Sequence, residues 1–231
     1  MNKGLGKRGR PMYKFDFRFL IEKFPVLLGQ GALMTIELTI LTLLLATLIG
    51  VVLASFRISK NAILRAFAAI YVWAFRGIPM LLLLFFLYYA LPTVGVYLSP
   101  FAASITALTL VASSYMCEII RGGILGIDVG QFEVCKSFGY TYPQQMFHII
   151  IPQTLRAIVP PVGNEFIGIM KDTTIVSTVA MVETVRVAQQ VGAASFKYVE
   201  IYTGAVIIFL IMTSVFTLLF NKIEGYLKKH A

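Results

Sequence analysis

From Gly77 to Cys117 the chain contains no aspartate, glutamate, lysine or arginine. A run of that length cannot lie on a surface facing water, and it is too long for a single buried helix. A hydrocarbon core of about 30 Å takes roughly 20 apolar residues per helical crossing, so the run holds two crossings. Pro92 and Pro100 bracket LPTVGVYLSP, the turn-rich stretch where it divides. Composition agrees. The chain is 58% hydrophobic and 13% charged, against about 25% charged for an average globular protein, and its mean hydropathy is +0.82. A disordered chain and a soluble domain are both excluded. The 231 residues hold about six or seven crossings at most, which leaves no length for a separate catalytic domain.

The same reading predicts an all-α integral membrane protein with five transmembrane helices, over about 31–56, 68–91, 100–121, 157–182 and 201–221. The fourth is unusual in carrying Glu165, Lys171 and Asp172. Residues 1–28 are expected to form a basic tail followed by a short amphipathic helix in the membrane interface. There Phe15, Phe17, Phe19, Leu20 and Phe24 alternate with Asp16, Arg18, Glu22 and Lys23. Residues 29–228 then form the membrane domain. The basic start lacks a compact apolar core and a small-residue cleavage site, so it is expected to be retained rather than removed as a signal peptide. Positive charge does not orient five spans by itself, because each of the two topologies puts nine lysines and arginines inside. With the N-terminal tail set aside, the count favours an inner C-terminus.

Net charge is +9, but the basic residues cluster at the ends of apolar runs, where phospholipid headgroups sit. No nucleic-acid partner is therefore expected. Cys117, Cys135, His148 and His230 follow no metal-ligand spacing, and neither a zinc site nor a disulfide framework is expected. No phosphate-binding loop occurs either, since GLGKRG at residues 4–9 has the wrong spacing.

Residues 122–155 form the only long polar loop, and a hydrophobic chain spends such length where it meets a partner. Two short helices are predicted in it, Gln131 to Phe138 and Pro143 to Ile151. Gly139 takes the left-handed position that closes the first, and Pro143 sits in the first turn of the second. The loop resembles the signature of permease subunits of binding-protein-dependent ABC importers: Glu-Ala-Ala, three residues, Gly, nine residues, Ile, one residue, Leu-Pro. Glu133, Gly139, Ile149 and Pro152 stand at that spacing, with Val134 and Cys135 in place of the alanines and Ile151 in place of the leucine. FRGIPMLLLLFF at 75–86, SYMCEIIRGGI at 114–124 and VPPVGNEFIGIMKDTTIVS at 159–177 look like the polar amino acid branch of that family.

The resemblance implies a type I ABC importer permease fold with the N-terminus outside and the C-terminus inside, in a bacterial inner membrane. It implies that the loop faces the cytosol as a coupling element docked in an ATP-binding subunit, present in two copies. Glu133, Val134, Cys135, Phe138, Gly139, Ile149 and Pro152 are its ATPase-coupling residues. It also implies no catalytic site and no cofactor in this chain, with ATP and magnesium held by the partner subunit. A second permease subunit, identical or similar, an external substrate-binding protein and a polar amino acid complete the partners.

Ionisable side chains within a membrane cost a few kcal/mol and normally face a cavity or a partner. Glu165, Gly168 and Asp172 share one helical face, flanked by Asn164 and Lys171. Ser114, Glu118 and Arg121 share a face of the third span. Arg76 precedes Gly77 and Pro79, which should break the second span. A free amino acid carries both an ammonium and a carboxylate, so Arg76, Glu118, Asn164, Glu165, Lys171 and Asp172 are the candidate substrate-pathway residues. Structural ion pairing within the bundle explains the same charges, Lys171 with Asp172 and Glu118 with Arg121. An ion-coupled secondary transporter or channel, a membrane enzyme and an importer of another zwitterion such as an opine remain alternatives at this point.

Overall fold

The computed structural model describes residues 13–229; the basic residues from Lys3 to Arg10 and His230 lie outside them. The described residues are helical throughout, without strands. The first helix is much longer than expected. Helix α1 (Phe17–Val26) runs through a π-helical turn at Leu27–Ala32 into α2 (Leu33–Arg57), so the amphipathic segment expected before the first span is continuous with it in one helical rod. Asp16 caps its start, its carboxylate accepting the Phe19 N–H at 3.0 Å. The widened turn carries Gly31, where a Cβ would come within 2.6 Å of the Thr184 Cα. Missing side chain there lets a later helix dock directly on the rod.

Pro79 has the effect its sequence position predicts. Helix α3 (Ala62–Gly77) stops where Ile78 turns extended, at φ −83° and ψ 127°, as the residue before a proline prefers. The chain resumes as α4 (Met80–Phe85), and the two parts bend by 99°. Gly95 ends this segment with φ +87°. Ser99 and Pro100 then start α5 (Pro100–Leu125), the Ser99 hydroxyl accepting the Ala102 N–H at 3.1 Å.

The polar loop holds α6 (Val129–Ser137), followed by α7 (Tyr142–Gln145) and a π turn that leads without a break into α8 (Ile151–Asp172). The second short helix expected in the loop is therefore the near end of the fourth span. That rod, residues 142–172, is about 45 Å long at 1.5 Å per residue. Its far end also differs from expectation, because the α-helix stops at Asp172 rather than running to 182. The hydroxyls of Thr173, Thr174, Ser177 and Thr178 each donate to a carbonyl three residues back. These bonds compete with the helix ladder and tighten Thr173–Val179 into a 3₁₀ segment. Helices α9 (Thr184–Ser195) and α10 (Tyr198–Lys229) complete the chain.

Three of these elements are long and apolar enough to cross a membrane, and the bent α3–α4 pair makes a fourth. Small residues let the helices approach: at Gly50 a Cβ would meet the Met116 side chain at 2.7 Å, so α2 packs closely on α5. Ala54, Met116, Ile120 and Ile158 form one apolar centre, Leu38, Leu84, Ala107 and Val176 a second, and Leu27, Met170, Ile201 and Ile208 a third.

Candidate functional site

The break at Ile78–Pro79 opens a cavity of about 340 Å³ between α3, α4, α5 and α8, within the roughly 300–1,000 Å³ of small-molecule sites. Arg76, Glu165 and Asp172 all line it, although Arg76 precedes the others by about ninety positions. The cation lies over the Tyr115 ring, 4.9 Å from its centroid. No ion pair joins Arg76 to Glu165 or Asp172 among the described residues. The cavity thus offers a guanidinium, two carboxyl groups and an aromatic face with no ion pair closed among them.

Other candidates lie elsewhere. Glu118 accepts two hydrogen bonds from Arg121, the shorter at 2.7 Å, and contacts the Arg57 Nε at 3.4 Å. It ties α2 to α5, and its side chain is 20% exposed. Asn164 faces a cleft of about 150 Å³ with Thr217, Asn221 and Glu224. Lys171 faces a groove of about 490 Å³ with Thr174, Tyr202 and Thr213; it forms no ion pair with Asp172. One turn of α8 therefore sends neighbouring charges to different surfaces. The face of α5 that reaches the cavity is Leu108, Val111, Ala112 and Tyr115, not Ser114, Glu118 and Arg121. Ser114 is buried and bonds the Val111 carbonyl at 2.6 Å. Tyr115 escaped the sequence reading because it carries no charge; its position one turn before Glu118 was the available signal.

At the other end of the 142–172 rod, the loop builds a fixed elbow. Asp128 caps α6 by accepting the Gly130 N–H at 2.6 Å. Gly139 closes it with φ +74°. The Tyr140 N–H donates to the Cys135 carbonyl and the Gly139 N–H to that of Lys136, both at 3.0 Å, the two bonds of a Schellman ending. The next helix starts at Thr141, whose N–H donates to Gln144 Oε1 at 2.9 Å. Buried Gln145 donates to the Phe132 carbonyl at 3.1 Å and pins the two helices together. Cys135 is buried beneath the elbow and Ile149 half-buried; Glu133, Val134, Phe138, Gly139 and Pro152 are exposed. Phe138 and Phe147, 78% and 70% exposed, make its surface apolar. Sequence reasoning attached no role to Tyr140 or Tyr142, which are exposed on the same elbow.

Comparison with known proteins gives a consistent picture. Residues 46–230 match the family described as binding-protein-dependent transport system inner membrane component. The L-cystine transport system permease protein TcyB of Bacillus subtilis (strain 168) is 36% identical, over 90% of this chain and 88% of that protein. The nopaline transport system permease protein NocM of Agrobacterium fabrum (strain C58 / ATCC 33970) is 34% identical, over 93% of each. A crystal structure of an amino acid ABC transporter with histidines superposes with a TM-score of 0.87 at 32% identity, over 93% of this chain and all of that one.

Proposed function

The chain belongs to the family of binding-protein-dependent transport system inner membrane components, and on that premise we propose that the cavity beside Pro79 holds the cargo and that the 142–172 rod moves it. The protein is a multi-pass permease subunit of an ATP-driven amino-acid importer in the bacterial inner membrane. Membership of that family removes the ion-coupled alternatives.

In the proposed arrangement five crossings, with α8 as the fourth along the chain, leave the N-terminus outside and the elbow in the cytosol. Arg57, Arg121 and the elbow residues share one end of the bundle, as positive-inside charge placement favours. Glu133, Val134, Cys135, Phe138, Gly139, Ile149 and Pro152 seat the elbow in an ATP-binding subunit, of which two copies carry ATP and magnesium. A second permease subunit, identical or similar, packs against the α8–α10 face. Asn164, Lys171, Thr174, Thr213, Thr217 and Asn221 on that face support a protein neighbour, since lipid does not solvate a lysine. An external substrate-binding protein delivers the cargo.

The working step follows from the continuity of the rod. Closure of the two ATP-binding subunits displaces the elbow. A helix unbroken from Tyr142 to Asp172 carries that displacement about 24 Å, from Ile149 to Glu165, at 1.5 Å per residue. The walls of the cavity then move relative to Arg76 on the broken helix. Alternating access requires the cavity to bind cargo differently in the two states, and two groups on separate elements provide that difference.

The single observation carrying the substrate reading is the meeting of Arg76, Glu165 and Asp172 in one cavity. The ammonium of an amino acid suits the two carboxylates, and its carboxylate suits Arg76. The test uses the assembled complex in proteoliposomes. A panel of amino acids is screened for stimulation of ATP hydrolysis, and the strongest is then measured for uptake. Arg76→Leu and Glu165→Gln should each lose uptake while assembly and unstimulated hydrolysis persist. Uptake that is unaltered in both removes the cavity from the pathway.

A further inference from the structure

A large apolar groove lies apart from the charged cavity and shares none of its lining residues. Its volume is about 980 Å³, and it runs between the coupling-side ends of α2, α5 and α8, from Thr47 down to Lys60. The walls are Val51, Ile58, Ile124, Ile151 and Leu155. We infer that this groove binds one anionic phospholipid, its acyl chain along α2 and its headgroup at Lys60. The inference rests on the proposed topology only in assigning the lipid to the inner leaflet.

Three observations support that occupant. First, length: from Thr47 to the end of α2 at Arg57 the groove follows about 15 Å of helix, the half-thickness of a hydrocarbon core. Second, polarity is graded. Apolar walls give way at one end to Ser55, Ser59, Lys60 and Tyr142, the order in which a lipid presents its chain and headgroup. Third, the cation is positioned. Arg65 donates to the carbonyls of Ser59 and Lys60 at 3.1 and 3.2 Å, which holds the turn carrying Lys60. Asn61 meanwhile caps α3, accepting the Ile63 N–H at 2.9 Å.

Charge complementarity selects the headgroup. A lysine near an anionic membrane surface favours the anionic lipid by about fivefold. A zwitterionic lipid gains nothing comparable.

The test uses the complex of this chain with its ATP-binding subunits, in nanodiscs of phosphatidylcholine containing a minority of phosphatidylglycerol. Native mass spectrometry counts the lipids that survive detachment. One retained phosphatidylglycerol per permease chain is expected. Lys60→Ala should lower the preference for phosphatidylglycerol about fivefold, and Leu155→Trp, which fills the groove, should release the retained lipid. A photoreactive probe attached to Ser55→Cys should capture lipid. Equal retention in wild type and Lys60→Ala, or capture of a second permease chain by the Ser55 probe, overturns the inference. Amino-acid-stimulated hydrolysis is recorded on the same samples. Its failure with lipid retention intact counts against the importer reading, not against the groove.

Discussion

Glu118 and Glu165 are both carboxylates inside the helical bundle, and their surroundings treat them oppositely. Glu118 is held by Arg121 on its own helix and by Arg57 on α2, so its charge is spent joining helices. Glu165 shares a cavity with Asp172 and Arg76 without closing an ion pair. The difference teaches where a transported molecule finds room. Charge closed into ion pairs joins helices, and charge left outside an ion pair beside a helix break leaves contacts for a cargo.

Substitution separates the two roles. Glu118→Ala leaves Arg57 and Arg121 without their partner. The expected loss is about 2 kcal/mol, less than the 3–5 kcal/mol of a fully buried pair, because the three side chains are 20–30% exposed. Thermal unfolding of the purified complex measures it, and uptake per folded molecule should hold. Glu165→Gln should do the reverse, with an unchanged unfolding temperature and uptake lowered at least tenfold, equivalent to about 1.4 kcal/mol. If Glu118→Ala abolishes uptake at full stability, the two carboxylates are not functionally distinct.

A smaller effect probes the elbow. Gly139 holds φ +74°, a conformation that costs other residues about 1–2 kcal/mol. Gly139→Ala should weaken the link between ATP hydrolysis and uptake, read as more ATP consumed per amino acid moved, while amino-acid binding is unaffected. Unchanged stoichiometry would mean that the elbow tolerates a shifted turn.

These regions were unequally legible in the sequence. The elbow could be read because its parts are contiguous: Glu133, Gly139, Ile149 and Pro152 stand at fixed spacings, and a glycine after a helix announces a left-handed ending. The break at Pro79 was legible for a similar local reason. The cavity was half legible. Charge in an apolar run marked Arg76, Glu165 and Asp172, but helical periodicity could not say which neighbour each face meets. Asn164 and Lys171 therefore entered the same candidate set although they face other surfaces. The 3₁₀ segment after Asp172 was missed because its cause lies in hydroxyl back-bonding by Thr173, Thr174, Ser177 and Thr178, which leaves hydropathy unchanged. The fusion of residues 15–28 with the first span was hidden by Asp16, Arg18, Glu22 and Lys23, charges that a helix end near the surface tolerates.

The smallest expected effect concerns a third carboxylate, which carries the pattern of Glu118 to the exposed end of the first rod. Asp16 pairs with Lys197, at the turn between α9 and α10, and its N–H donates to Glu200 at 3.0 Å. The hydrogen bond from Lys197, aided by the Phe19 N–H, holds the Asp16 carboxyl below the usual carboxylate range. A carboxyl depressed in the folded state stabilises the fold at pH values above its unfolded pKa of about 3.9, and that contribution disappears as pH falls through the folded value. Asn is as good a helix cap as Asp, so Asp16→Asn removes the ion pair and spares the cap. Both partners are 39% exposed, and surface pairs are weak, so the expected result is a slight drop in unfolding temperature at pH 7 that closes as the solution is acidified. A gap that persists at low pH would assign the residue to packing or capping instead, and the tie between the first rod and the α9–α10 turn would then not depend on charge.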